Sequence, residues 1–158
     1  MHIPDGFIDT PVAAASGVVA VAAVAVSLRG ARREVSEASA PLAGLTAVFV
    51  FAAQMVNFPV GAGTSGHLIG AALAAILIGP YAAVLAMTVV ITIQALVFAD
   101  GGLTALGLNI VNMAVVATVV GWLVFRLGTR VLPRVRWSAL LAAGIAGFGS
   151  VVASAAAF

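Results

Sequence analysis

Six apolar stretches divide the chain, at about 11–28, 41–57, 67–79, 81–99, 103–125 and 138–158, with polar residues, glycines and prolines between them. Five of the six come close to or exceed the roughly 20 residues an α-helix needs to cross a bilayer. The third covers about 13 residues, short of that length, and reads equally as a re-entrant segment. The pattern predicts an all-α, polytopic membrane helix bundle of about six transmembrane helices, a single transmembrane domain over residues 1–158. The first stretch has the length of a secretory signal core. Asp5 and Asp9 precede it where a signal would carry basic residues, and five further spans follow it.

Charge placement settles how the third stretch is read. If all six stretches span, Arg29, Arg32 and Arg33 fall on the same side as Arg126, Arg130, Arg134 and Arg136. The positive-inside rule makes that side cytoplasmic. A re-entrant third stretch would send the last four arginines outside, so the spanning reading is preferred. The N-terminus, the 58–66 loop and the Asp100-Gly101-Gly102 turn then share the outer side with Asp5, Asp9 and Asp100. Composition agrees, since 63% hydrophobic and 8% charged residues leave too little polar surface to cover a soluble globule. All seven basic residues are arginines. Without a lysine there is no phosphate-cradling Walker motif, so ATP binding by this chain is not expected. Arginines flanking apolar spans, with no aromatic residues interleaved, point to topology and away from nucleic acid.

The candidate chemistry is sparse and concentrated. The chain has two histidines, His2 and His67, and no cysteine. A histidine at position two can close two small chelate rings on one metal ion, through the amine of Met1, the amide nitrogen of His2 and its imidazole. His67 can supply a fourth nitrogen from the same outer face. Two such rings lie in one plane, which suits nickel(II), copper(II) and low-spin cobalt(II), whereas zinc takes a tetrahedral set. The amide, amine and imidazoles must all be deprotonated to bind, so affinity should fall as pH drops. Pro4-Asp5-Gly6 is a turn signal that folds the terminus back toward the bundle. Asp5 and Asp9 are expected to give the entrance a mild negative potential.

Blander readings stand beside these. A second residue is by default part of a frayed terminus, and a histidine at a helix end can simply cap it. Of the polar span residues Gln54, Asn57, Thr88, Thr92, Gln94, Asn109 and Asn112, the threonines are expected to bond helix backbone or a neighbouring helix. Asn57, Gln94 and Asn109 lie near outer ends, where they can orient ligands. Glu34 and Glu37 read as solvated charges beside the arginines. No HExxH or serine-base pattern occurs, so no enzyme is expected.

Three segments carry a family likeness: Met1-His2-Ile3-Pro4-Asp5-Gly6-Phe7; Gly63-Thr64-Ser65-Gly66-His67-Leu68-Ile69-Gly70, continuing to Gly79-Pro80; and Gln94-Ala95-Leu96 through Asp100-Gly101-Gly102-Leu103-Thr104-Ala105-Leu106-Gly107 to Asn109 and Asn112-Met113. Together they resemble the CbiM/NikM substrate-capture (S) subunits of cobalt/nickel energy-coupling factor transporters, from residue 1 to about 125. The resemblance implies a subunit in the cell membrane of a prokaryote that holds Ni(II) or Co(II) as transported substrate. The metal would sit in a square plane formed by the Met1 amine, the backbone nitrogen and imidazole of His2, and His67. It also implies partners: a transmembrane coupling (T) subunit, a pair of ATPases and a small auxiliary membrane protein. Family chains are usually longer and carry further helices, so the expectation is either a shortened version of the family's chain or one lacking C-terminal helices after Phe158. The competing expectations are an S-component for an organic micronutrient, against which the scarcity of aromatics argues, and a structural scaffold subunit without metal.

Overall fold

The computed structural model describes residues 2–61, 64–133, 135 and 137–157. Each apolar stretch forms a helix: α1 (Thr10–Glu34), α2 (Ala40–Gln54), α3 (Ala71–Ile78), α4 (Pro80–Val97), α5 (Leu106–Val131) and α6 (Ser138–Ala156). The helix starts follow local chemistry. The Asp9 carboxylate accepts the Val12 N–H at 3.0 Å and Pro11 sits in the first turn of α1, while Pro80 opens α4 where its missing N–H costs nothing. A short antiparallel hairpin, β1 (Phe58–Gly61) with β2 (Thr64–Gly66), lies in the segment the sequence reads as a plain loop.

Four helices, α1, α4, α5 and α6, are long and apolar enough to cross a membrane, and α2 is a shorter apolar helix of 15 residues. The protein is a multi-pass membrane protein. The third stretch departs most from expectation. Its helix, α3, has only 8 residues, preceded by non-helical backbone from His67 to Gly70. Gly70 has φ +77°, and a Cβ there would lie 2.8 Å from Val50 Cγ1, so the chain bends tightly against α2. Gln54 donates to the Ile69 carbonyl at 2.6 Å, and Ile69, Ala71, Ala74 and Ala75 are buried. Irregular backbone survives at membrane depth where protein surrounds it.

The stretch still runs from one end of the bundle to the other. His67 stacks on His2 at the end where α4 finishes, while Gly79 lies against Glu34 at the end of α1. Trp122 and Leu123 of α5 reach the same Glu34 end, which puts Arg126 and Arg130 on the side of Arg29, Arg32 and Arg33, as charge placement predicts. Arg134 and Arg136 lie outside the described residues.

Small residues set the packing. A Cβ on Gly107 would sit 2.5 Å from the Gly17 backbone nitrogen, so α1 and α5 touch backbone to backbone there. Met87, Ile91 and Met113 fill the core between α4 and α5. Within α5, residues Ile110–Val116 are π-helical, a widening the apolar pattern does not foretell. Two hydrogen bonds tie this region to α6: Ser154 Oγ donates to Asn112 Oδ1 at 3.0 Å, and Ser150 Oγ to the Ala117 carbonyl at 2.9 Å. Thr88 and Thr92 bond their own helix, to Val84 and Thr88 carbonyls.

Glu34 corrects the sequence reading. It is half-buried, and its Oε2 accepts the Ala82 N–H at 2.8 Å, capping the first turn of α4 from another helix. Glu37 is exposed as expected. Glu34→Ala should therefore destabilise the bundle by about 1 kcal/mol, the usual worth of an N-cap, in reversible unfolding in mixed micelles, and Glu37→Ala should leave it unchanged.

Candidate metal centre

The N-terminal segment folds back over the His67 end of the bundle, and named bonds hold it there. Ile3 is 3% exposed. Its N–H donates to Asn109 Oδ1 at 2.8 Å, and its carbonyl accepts from Asn109 Nδ2 at 3.1 Å and from the Gly102 N–H at 2.8 Å. Asn109 thus imitates the edge of a strand. One step on, Asp5 Oδ1 accepts the Thr104 N–H at 2.8 Å and its hydroxyl at 2.5 Å. Those bonds from Thr104 pull the Asp5 carboxyl below its ordinary range. Gly6, with φ +83°, completes the predicted turn.

This strap inserts His2 into the bundle. The His2 and His67 side chains are both buried, their rings stacked with centroids 4.9 Å apart and planes at 27°. Each ring spends one nitrogen on protein. His67 Nδ1 donates to the Leu68 carbonyl at 2.9 Å, and His2 Nε2 lies 3.2 Å from Gln94 Oε1 and donates to it. That leaves His2 Nδ1 and His67 Nε2 buried and without a hydrogen-bond partner. Such orphaned polar atoms carry a cost unless a ligand meets them. Burial pushes the His2 imidazole down to about 4, against the opposing pull of Asp100, so near neutral pH the ring is uncharged and its lone pair free. Asp100 Oδ1 stands 3.2 Å from His2 Nδ1. A carboxylate beside two bare nitrogens makes a focus of negative potential suited to a cation.

The structure brings together His2 and His67, the two side chains that the sequence reading names as candidate ligands. Met1 lies outside the described residues. Gln94 and Asn109 take orienting positions, one on the His2 ring and one on the backbone next to it. Asn57 is exposed, and among the described residues it makes no such contact. Asp5 accepts from the backbone and hydroxyl of Thr104 and Asp9 from a backbone donor of α1, structural tasks that the entrance-potential reading does not include. Gln54, which buttresses the backbone after His67, and the approach of Asp100 to His2 escape sequence reasoning. A polar residue near the end of an apolar span is the signal that marks Gln54. Among the described residues no group of three His, Cys, Asp or Glu side chains is set to hold a metal ion.

The geometry defines a polytopic membrane protein whose N-terminal strap buries two stacked histidines at one end of the bundle. The chain belongs to the CbiM family, the cobalt uptake substrate-specific transmembrane region, which it matches over residues 2–158. It is 40% identical over 155 residues to the fused nickel transport protein NikMN of Rhodobacter capsulatus, covering 98% of this chain and 45% of that one. It is 41% identical over 133 residues to the cobalt transport protein CbiM of Geobacter sulfurreducens, covering 80% and 37%. The crystal structure of a truncated transition metal transporter superposes with a TM-score of 0.91 at 35% identity, covering 99% of this chain and 72% of that one. The relatives are named as transport proteins, not enzymes. The chain spans about half the length or less of these two named relatives, 45% and 37%.

Proposed function

We propose that this chain captures Ni(II) or Co(II) on the outer side of the membrane and holds it, chemically unchanged, for import. The observation that carries the reading is the pair of orphaned nitrogens, His2 Nδ1 and His67 Nε2, on stacked buried rings. In His2, Nδ1 is the ring nitrogen able to close a six-membered chelate with the residue's own amide nitrogen. The hydrogen bond from Nε2 to Gln94 leaves Nδ1 bare for that purpose. The Met1 amine supplies a five-membered ring on the same amide, and His67 Nε2 closes a square of four nitrogens. Strong-field planar nitrogen sets favour nickel and low-spin cobalt over zinc. The printed names of relatives, nickel transport in one and cobalt transport in another, support the choice of ions.

Capture alone moves nothing, and this chain lacks the Walker lysine of an ATPase. The reading therefore includes a transmembrane coupling (T) subunit, ATPase subunits and a small auxiliary membrane protein as partners. Relatives described as fused transport proteins support the idea that further transport parts join a region of this kind. The arginine-bearing end of the bundle faces the cytoplasm in this arrangement.

The test is metal titration of the purified protein followed by spectroscopy. His67→Ala should abolish stoichiometric binding while helicity is kept. The nickel-loaded protein should be diamagnetic with a planar visible spectrum. A paramagnetic, octahedral spectrum would contradict the four-nitrogen square.

A further inference from the structure

At the opposite end of the bundle from the histidines, α1 and α5 separate. They touch at Gly17 and Gly107, but towards the arginine side they diverge around the first turn of α4. The space left is a cavity of about 520 Å³ lined by Val19, Ala23, Val26, Val119, Trp122 and Leu123, together with Tyr81 and Glu34. Its walls are apolar, and Val19, Val26, Val119 and Leu123 are each at least 43% exposed. A second cavity, of about 400 Å³, shares Val26, Glu34 and Tyr81 with the first and adds Arg29, Gly30 and Arg33. The two cavities adjoin at Val26, Glu34 and Tyr81, so an apolar recess lies next to a cationic one.

The charges of the cationic recess are not spent elsewhere. Among the described residues neither Arg29 nor Arg33 is within ion-pair distance of a carboxylate, and the one carboxylate at the recess, Glu34, bonds the Ala82 N–H. A third guanidinium, Arg126, stacks 4.7 Å over the Trp122 ring that lines the apolar part. Arg29 and Arg33 are four apart and so share a face of α1. An occupant of both must therefore be amphipathic, with a hydrocarbon portion for the apolar recess and an anionic group for the cationic one. A bilayer supplies such a molecule at this level, and basic pockets between transmembrane helices suit anionic headgroups. A polypeptide helix would fill the apolar recess but would need acidic residues at one end to match the arginines.

We propose that these adjoining recesses are a binding site for an anionic phospholipid, with an acyl chain between α1, α4 and α5 and its phosphate on Arg29 and Arg33. The lipid completes the bundle surface where the helices part. The site stands apart from the histidine pair and does not depend on what those residues bind.

The experiment measures lipid retention by the full chain in detergent, using native mass spectrometry with added phosphatidylglycerol or phosphatidylcholine. Phosphatidylglycerol should be retained preferentially. Arg29→Gln with Arg33→Gln should weaken that retention about 25-fold, at roughly fivefold for each arginine near a lipid headgroup. Ala23→Phe, which fills the apolar part and leaves both arginines in place, should lower it as well, and circular dichroism checks that both variants remain folded. Equal retention of the two lipids by the unaltered chain, or unchanged retention in the double arginine variant, would overturn the proposal. So would a photo-crosslinker placed at Ala23 that, in native membranes, joins the chain to a protein and not to phospholipid.

Discussion

A chain whose Met1 amine is acetylated is expected to lose stoichiometric Ni(II) and Co(II) binding. The chemistry is local. In the proposed square, the His2 amide nitrogen belongs to both chelate rings, one closed by the amine of Met1 and the other by His2 Nδ1. Acetylation turns the amine into an amide, which is far less basic. Loss of a tethered ligand typically weakens binding by on the order of 10²–10⁴-fold, because the remaining donors must do without its effective concentration. Equilibrium dialysis or calorimetry on matched proteins reads this directly. A tag on the C-terminus, far in sequence from the chelate, should leave affinity intact. If the acetylated protein bound nickel as the parent does, the terminal chelate would be ruled out, whatever the histidines proved to do.

How much of this was legible in the chain differs from element to element, for physical reasons. The six stretches became helices because a bilayer leaves a segment no other way to satisfy its backbone, so apolar length alone is informative. The shared side of Arg29, Arg33 and Arg126 followed by parity. Hydropathy reports apolarity and not helicity, however, so it had nothing to say about the irregular backbone of His67–Gly70 or the π-helical turns at Ile110–Val116. Both depend on neighbours that supply substitute hydrogen bonds, as Gln54 does for Ile69. That His2 and His67 lie at one end of the bundle was within reach of the chain, because parity of the spans puts both on the same side. The tasks of Glu34 and Asp5 were not, since their donors, Ala82 and Thr104, are 48 and 99 residues away. Carboxylates that look solvated in a loop become caps once another helix brings them an unpaired N–H.

Gly102→Ala should reduce metal affinity at least about tenfold while leaving the helices intact, a large effect for one methyl group. Gly102 lies under the strap, where its N–H bonds the Ile3 carbonyl. A Cβ added there would sit 2.6 Å from the Pro4 carbonyl carbon and 2.7 Å from Asp5 Oδ1, so it meets main chain and a side chain already fixed by Thr104. Neither can rotate away. The strap must lift, and lifting strips Ile3 from its pocket at a cost of roughly 1.5–3 kcal/mol, with the Asn109 bonds lost besides. Since every 1.4 kcal/mol is tenfold in a binding constant, the competent state would be depleted by about that factor or more. The helices do not share in the damage, because Gly102 belongs to the turn between α4 and α5. Circular dichroism should be unchanged, while hydrogen exchange at the Ile3 and Gly102 amides accelerates. Gly44→Ala, where an added Cβ meets nothing within 4 Å, is the control and should bind as the parent does. Parental affinity in Gly102→Ala would mean that the strap's seat on this turn does not deliver His2 to the site.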